Sequence, residues 1–442
     1  MKNFKDSGIE WLGEIPQHWE IKPLKAVFNQ RNEQNTNLKL HTILSLIKDI
    51  GVVPYEEKGN IGNKSKEDLQ SYKIARINDL VLNKMNAVIG SLGVSAYNGL
   101  VSPIYLVFYI NSPKYLMSYY SYLFQIKNVQ KFLKIYAYGI MEIRESIDYL
   151  DFKKMSLPVP PLKEQEQIAN FLDEKCEQIK NFIEKKEKLI SLLKEQKQAL
   201  INETITKGLD KNVNFKDSGI EWLGEIPQHW EIKKLKMLFI LGNGLNITKA
   251  DFVSYGIPCV SYGIPCVSYG EIHSKYPCRL NATIHTLPFV SKTHLADKPQ
   301  SLLQKGDFVF ADTSEDIEGS GNFTSIQSDT PIFAGYHTIT LKSKGKINSL
   351  YFSFLFDSIF TRNQIRKEVC GVKVFSITKS ILKEVQCLIP SLKEQEQIAN
   401  FLDKKCGKID LLIEKTEKQI KLIKEYKTTL INQAVCGRIG KG

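Results

Sequence analysis

FKDSGIEWLGEIPQHWEIKPLK runs from Phe4 to Lys25, and FKDSGIEWLGEIPQHWEIKKLK runs from Phe215 to Lys236. The two blocks differ only where Pro23 stands against Lys234. A second pair matches without change: LKEQEQIANFLD occupies Leu162 to Asp173 and again Leu392 to Asp403. Each half of the chain therefore runs the same way, from a Trp-containing block through a long middle to a charged helical block. A repeat of this period decides the architecture before any local propensity does.

The middles, residues 26–150 and 237–380, do not match in the same way. Asn78-Asp79-Leu80-Val81-Leu82 resembles Gly306-Asp307-Phe308-Val309-Phe310, and the stretch from Ser102 to Phe108 takes the place of that from Gly335 to Leu341. Near-identical frames around dissimilar inserts imply one scaffold carrying two different working surfaces. Short β-rich runs at Leu80 to Leu82, Ile104 to Ile110 and Thr338 to Leu341 alternate with Gly, Asn and Asp turns. Recurring apolar and aromatic residues predict a helix over Lys114 to Tyr136, and its counterpart over Ser349 to Val369.

After Pro160-Pro161 no Gly or Pro occurs until Gly208, which predicts one long helix between a proline start and a glycine stop. Within it Leu172, Cys176, Ile179, Ile183, Lys186, Ile190, Leu193, Lys197 and Leu200 alternate in steps of four and three, a heptad seam with two lysine breaks. Leu402, Cys406, Ile409, Ile413, Thr416, Ile420, Ile423, Lys427 and Leu430 repeat the register, interrupted by Gly407 at a cost of roughly 1 kcal/mol. A helix of about 40 residues is about 60 Å long. Two such seams in one chain are expected to bury each other, antiparallel, as a rigid spacer. The expected fold class is thus α/β (α+β): two mixed α/β domains separated by two long helices that form an antiparallel coiled coil with pseudo-two-fold symmetry. The expected boundaries are 1–160 and 209–390 for the domains, and 161–208 and 391–442 for the helices.

The formal net charge of +12, from 60 Lys and Arg against 48 Asp and Glu, favours a polyanionic partner, since bound Lys and Arg release phosphate counterions. The N-terminal residues lack the apolar core of a secretory signal, and no apolar run is long enough to span a bilayer. The eight cysteines form no CxxC pair. The expectation is a cytoplasmic protein with reduced thiols, no membrane partner and no metal site.

The two IPQHWEIK segments, the two proline–LKEQEQIANFLD blocks, the YGIMEIRESI run (Tyr138 to Ile147) and the CGVKVFSITKSIL run (Cys370 to Leu382) together resemble the specificity subunits of type I restriction-modification systems. The resemblance covers essentially the whole chain. It implies that each domain is a target-recognition domain reading one half of a split, asymmetric site in double-stranded DNA, and that the helices set the gap between the halves. It implies two methyltransferase (modification) subunits docked on the scaffold and two further restriction/translocase subunits. No cofactor is then expected on this chain; S-adenosylmethionine, ATP and Mg2+ belong to the partners. A coiled-coil adaptor without direct DNA readout is the alternative left open.

Catalytic motifs give no competing account. No GxxxxGK[ST] loop and no [DN]PP[YF] motif occurs, and Gly242-Asn243-Gly244 reads as a turn. Glu20-Ile21-Lys22 and Glu231-Ile232-Lys233 fit half of a nuclease metal site but lack an upstream Pro-Asp partner. His18 and His229 are expected to pack beside Trp19 and Trp230 rather than act as bases. Reading DNA requires side chains that reach base edges or phosphates from loops. The candidates are Lys84, Asn86 and Arg144 in the first domain, with Thr313 and Ser314 at the place of Lys84 and Lys373 near the place of Arg144 in the second. VSYGIPC, repeated at Val253 to Cys259 and Val260 to Cys266 and followed by VSYG at Val267 to Gly270, is a tandem duplication that lengthens the second middle.

Overall fold

The structure, a computed structural model, describes residues 3–48, 50–59, 68–138, 146–252, 263–369, 371 and 374–438. It divides into two compact units. One comprises Met1–Glu187 together with Glu417–Gly442, the other Lys188–Thr416.

The repeated blocks fold alike. In the first unit Phe4–Asp6 pairs antiparallel with Glu14–Pro16, and Glu20–Pro23 pairs with Ser156–Val159. In the second unit Phe215–Asp217 pairs with Glu225–Pro227, and Glu231–Lys234 with Gln386–Ile389. Each frame thereby clips the start of its domain to the strand that leads into a long helix. Trp19 and Trp230 follow tight turns and are wholly buried.

Inside each frame sits an antiparallel sheet of the same order. In the first unit this order is Asn29–Arg31, Tyr105–Tyr109, Leu80–Asn83, Leu92–Val94. In the second it is Phe239–Asn243, Thr338–Ser343, Phe308–Ala311, Phe323–Ile326, with Cys278–Leu280 added in parallel at the edge. The expected β-rich runs thus become the central strands. Alternate apolar residues join the main core of each unit, where Phe108 meets Phe28 and Phe152, and Phe308 meets Phe239 and Phe356, while Val81, Val107 and Val309 join smaller clusters on the other face. The second unit also carries a small sheet of Phe289–Val290, Ile264–Val267, Ile332–Ala334 and Leu302–Leu303. The end of the second VSYGIPC copy and the VSYG after it supply its strand Ile264–Val267 and the start of the helix Tyr269–Ser274; residues 253–262 lie outside the described residues.

The two mid-domain helices are each broken, where single helices were expected. Lys114 to Tyr136 resolves into Met117–Gln125, Lys127–Phe132 and a 3-10 turn, Leu133–Tyr136. Ser349 to Val369 resolves into Ser349–Asp357 and Ile359–Glu368. The joints are Ile126 and Ser358, both with extended backbone (ψ 126° and 150°). Polar side chains take up the groups that each break releases. Gln130 donates to the Phe124 carbonyl, while the Ser358 and Thr361 hydroxyls donate to that of Leu355.

The long helices span Leu162–Lys207 and Leu392–Val435, 46 and 44 residues, or roughly 69 and 66 Å at 1.5 Å per residue. Gly208 (φ +74°) and Gly437 (φ +72°) end them in the left-handed conformation that glycine adopts freely. Every expected seam position (Leu172, Ile179, Ile183, Ile190, Leu193 and Leu200; Leu402, Ile409, Ile413, Ile420, Ile423 and Leu430) is buried or half-buried. Within each unit the helices run antiparallel. In the second unit Lys197 bonds Asp410 at 2.7 Å while Gly208 lies beside Glu394. Ile201 and Ile205 there share a core with Ile398, Leu402 and Cys406. In the first unit Leu172 and Ile179 share a core with Leu430, Ile431 and Val435.

Candidate nucleic-acid interface

The frame explains why its residues recur. His18 and the Trp19 indole both bond the Glu164 carboxylate, at 2.5 and 3.0 Å. His229 and Trp230 bond Glu394 at 2.9 and 3.0 Å. Both glutamates lie in the first turn of a long helix, where a carboxylate also meets the positive end of the helix dipole. The neighbouring glutamines are buried and tie that turn to the domain. Gln165 donates to the Pro160 and Lys114 carbonyls and accepts from the Leu116 amide. Gln395 donates to the Pro390 carbonyl and accepts from the Asn348 amide. HW in one block and EQ in the other are thus two halves of one joint, made twice. Both histidines are about half exposed and reach the carboxylate beside the indole, and only His229 lies edge-on to its tryptophan as expected.

The candidate contacts among the described residues lie just beyond a central strand of each domain. In the first, the strand Leu80–Asn83 runs into a turn at Lys84, Met85 and Asn86, which Asn83 shapes by accepting from the Met85 amide at 3.1 Å. Asn86 is exposed and Lys84 half-exposed. Lys73, whose ammonium donates to the Tyr105 carbonyl at 2.9 Å, is pushed below its ordinary pKa by burial and by the charge of Lys84. This hairpin end is cationic.

In the second domain the corresponding strand, Phe308–Ala311, leads through Asp312 into Thr313–Ser314, which pairs with Phe375–Ser376. Thr313 is half-buried and Ser314 buried, its hydroxyl accepting from the Asp316 amide at 3.4 Å. A cavity of about 790 Å³ opens here, its lining including Tyr269, His273, Thr313, Glu318, Asn322 and His337. One wall is a fixed relay. His273 Nε2 donates to the Thr313 carbonyl at 2.7 Å, so Nδ1 accepts from the Asn322 amide at 2.9 Å. Asn322 in turn accepts from Arg362, which also bonds Asp357. His337 Nδ1 lies 3.1 Å from Asp312 Oδ1.

Residues 16–194 and 227–422 match the family model of the type I restriction modification DNA specificity domain, most of the chain in two copies. The chain belongs to this specificity-subunit family. The type I restriction enzyme MjaVIII specificity subunit of Methanocaldococcus jannaschii is 28% identical over 325 residues, 72% of this chain and 70% of that protein. The putative MjaX specificity subunit of the same organism is 25% identical over 459 residues, 99% of this chain and 97% of that one. Among solved structures, a chain from work on complex assembly and conformational transition of the type I R-M system has the same fold. Its TM-score is 0.72 at 14% identity, covering 96% of this chain and 99% of that one. The HsdS subunit of Thermoanaerobacter tengcongensis gives a TM-score of 0.53 at 14% identity, over 96% and 98% of the chains.

The sequence features weighed for catalysis take structural places in this chain. Glu20–Lys22 and Glu231–Lys233 are exposed ion pairs at 2.7 and 2.6 Å that pull each carboxyl below its ordinary pKa. Gly242-Asn243-Gly244 is a strand end rather than a turn. A Cβ on Gly244 would meet the Gly335 carbonyl oxygen at 1.9 Å, so close backbone approach is what requires that glycine. Among the described residues no group of three or more His, Cys, Asp and Glu is placed to hold a metal, and no helix is long and apolar enough to cross a membrane.

Of the candidate DNA contacts, Lys84 with Asn86 and Thr313 with Ser314 each stand together at a hairpin end, while Arg144 and Lys373 lie outside the described residues. Strand register makes Asp312, rather than Thr313, the counterpart of Lys84. Asn83 faces Tyr105 as Ala311 faces Thr338, and the Ile147 amide bonds the Lys84 carbonyl as the Ile377 amide bonds that of Asp312. Sequence reasoning passed over Asp312. The matched runs Asn78 to Leu82 and Gly306 to Phe310, extended by two residues, carry the signal that finds it.

Proposed function

We propose that each domain reads one half of a bipartite, asymmetric site in double-stranded DNA, and that the paired helices set the gap between the halves. The observation that carries this is the contrast between frame and hairpin. Side chains that hold the helices are the same in both units, while the matched hairpin ends carry Lys84 and Asn86 in one and Asp312, Thr313 and Ser314 in the other. A scaffold built to read two different half-sites has this pattern, because phosphate contacts position a protein and base contacts specify the sequence. Lys84, Asn86 and Thr313 are the proposed direct contacts of the described residues, with Ser314 beneath the second loop. Arg144 and Lys373 are proposed on sequence grounds.

The helices carry exposed apolar side chains besides their seams, Phe182, Leu189 and Leu192 on the first and Leu411, Leu412, Leu422 and Tyr426 on the second. These support docking of two methyltransferase subunits, which bring S-adenosylmethionine, and in the larger complex of two restriction/translocase subunits with ATP and Mg2+. The proposed setting is the cytoplasm, where those partners and the chromosome meet.

The test is to map methylated adenines in a host genome with and without this chain, in the presence of its methyltransferase partner. The expected result is one motif of two short halves separated by a fixed gap. A continuous motif overturns the spacer role, and methylation that does not depend on this chain leaves the adaptor reading.

A further inference from the structure

Matched backbone positions at the two hairpin ends carry opposite chemistry. The register that pairs Lys84 with Asp312 also pairs Ile104 with His337, since each immediately precedes the residue facing the strand end, Tyr105 or Thr338. In the first domain the two positions hold a cation and an exposed isoleucine. In the second they hold a carboxylate and an imidazole in contact with each other.

His337 has φ +54°, a left-handed conformation that is strained for a residue with a Cβ. Its surroundings hold it there. Its carbonyl accepts from the Asp312 amide at 3.1 Å, and its ring lies edge-on to those of Tyr269 and Tyr336 at 5.5 and 6.0 Å. Because the Asp312 carboxylate can only accept, Nδ1 carries the proton and Nε2 of the neutral ring is an acceptor. Nε2 has no hydrogen-bond partner among the described residues. The side chain is 56% exposed, at the rim of the 790 Å³ cavity.

We infer that His337, oriented by Asp312, is the residue with which the second domain selects a base bearing an exocyclic amino group in the major groove, N6 of adenine or N4 of cytosine. This rests on the DNA-reading function proposed above. Those two amines are the only base donors that the major groove presents. Guanine O6 and thymine O4 would set a lone pair against the lone pair of Nε2. His337 makes the contact, and Asp312 is a positioning residue that fixes its tautomer.

The experiment compares the methylation motif of the full chain, with its methyltransferase partner, for the wild type, His337→Gly, His337→Asn and Asp312→Asn. Glycine and asparagine both accept the left-handed backbone. In the wild type one position of the second half-site is expected to be adenine or cytosine, and synthetic duplexes varying that position alone decide which. His337→Gly should lower discrimination there by about tenfold or more, leaving the first half-site and the gap unchanged. Asp312→Asn, whose amide can donate to Nδ1 and turn Nε2 into a donor, should shift the preference toward guanine and thymine. A motif unchanged in His337→Gly, or relaxed in the first half-site, overturns the inference. If His337→Gly abolishes methylation, His337→Asn decides: its amide pairs with adenine N6 and N7, so adenine should be kept or gained at that position, and guanine or thymine there is equally fatal. A wild type without a bipartite motif sinks the reading function itself, which separates the two failures.

Discussion

The two units are the same where a side chain serves a helix start and different where it serves a neighbour that has itself changed. The single mismatch in the opening blocks shows the rule. Lys234 reaches Glu384 at 2.6 Å, alongside Lys236. In the first unit, Pro23 pairs with Ser156 as Lys234 pairs with Gln386, so the place of Glu384 is taken by Lys154, which pairs instead with Asp151. A lysine at 23 would meet a cation where Lys234 meets a carboxylate. The sheet floors differ likewise. Asp79, almost wholly buried, holds Arg31 through two bonds at 2.6 and 3.1 Å. Its counterpart Asp307 accepts only from the Gln304 amide, and burial pushes its carboxyl above the ordinary value.

The sharpest test of the likeness is Trp19→Ala against Trp230→Ala. Each removes a wholly buried indole and should cost about 3–5 kcal/mol, with similar losses in the two units. Urea denaturation followed by hydrogen exchange assigns each loss to its unit, and a large imbalance would break the comparison. The sheet floors should separate instead. Asp79→Ala strands a buried guanidinium and should cost on the order of 3 kcal/mol. Asp307→Asn keeps an acceptor for the Gln304 amide and should stabilise the second unit at neutral pH. The folded state holds the Asp307 proton more tightly than the unfolded chain does, so its contribution is present below pH 3.8 and is lost as pH rises through the higher folded value.

The smallest effect concerns Glu384, which its two lysines hold at about 2 against an ordinary 4.5. Its contribution is present above pH 4.5 and fades as pH falls through about 2. Lys234→Pro should flatten that acid slope in the second unit, and thermal melting between pH 5 and 2 checks it. An unchanged slope would mean that the mismatch at 23 and 234 has nothing to do with Glu384.

Much of this was legible in the chain. The two repeated blocks, a proline start, a glycine stop and a heptad sustained through its lysine breaks give the frame and the first long helix nearly to the residue, while the second helix ends at Val435, short of the expected 442. The joints at Ile126 and Ser358 were not, because neither carries a Gly or Pro and both are set by packing against the sheet. The site was legible as a place and less so in its residues. Hairpin ends follow from strand pattern, whereas the burial of Ser314 and the left-handed backbone of His337 depend on what surrounds them. Asp312 was within reach, since extending the matched runs Asn78 to Leu82 and Gly306 to Phe310 by two residues aligns it with Lys84, as strand register does.

Each buried tryptophan also backs onto a glycine that ends a helix, and the partners are crossed. Trp230 lies against Gly208, the end of the first helix, while Trp19 lies against Gly437, the end of the second. The second unit is therefore one uninterrupted stretch, Lys188–Thr416, while the first takes Leu430, Ile431, Ala434 and Val435 into its core from the far end of the chain. A ribosome making this protein therefore emits every residue of the second unit before the residues that close the core of the first, so the unit that begins earlier is the later to be completed.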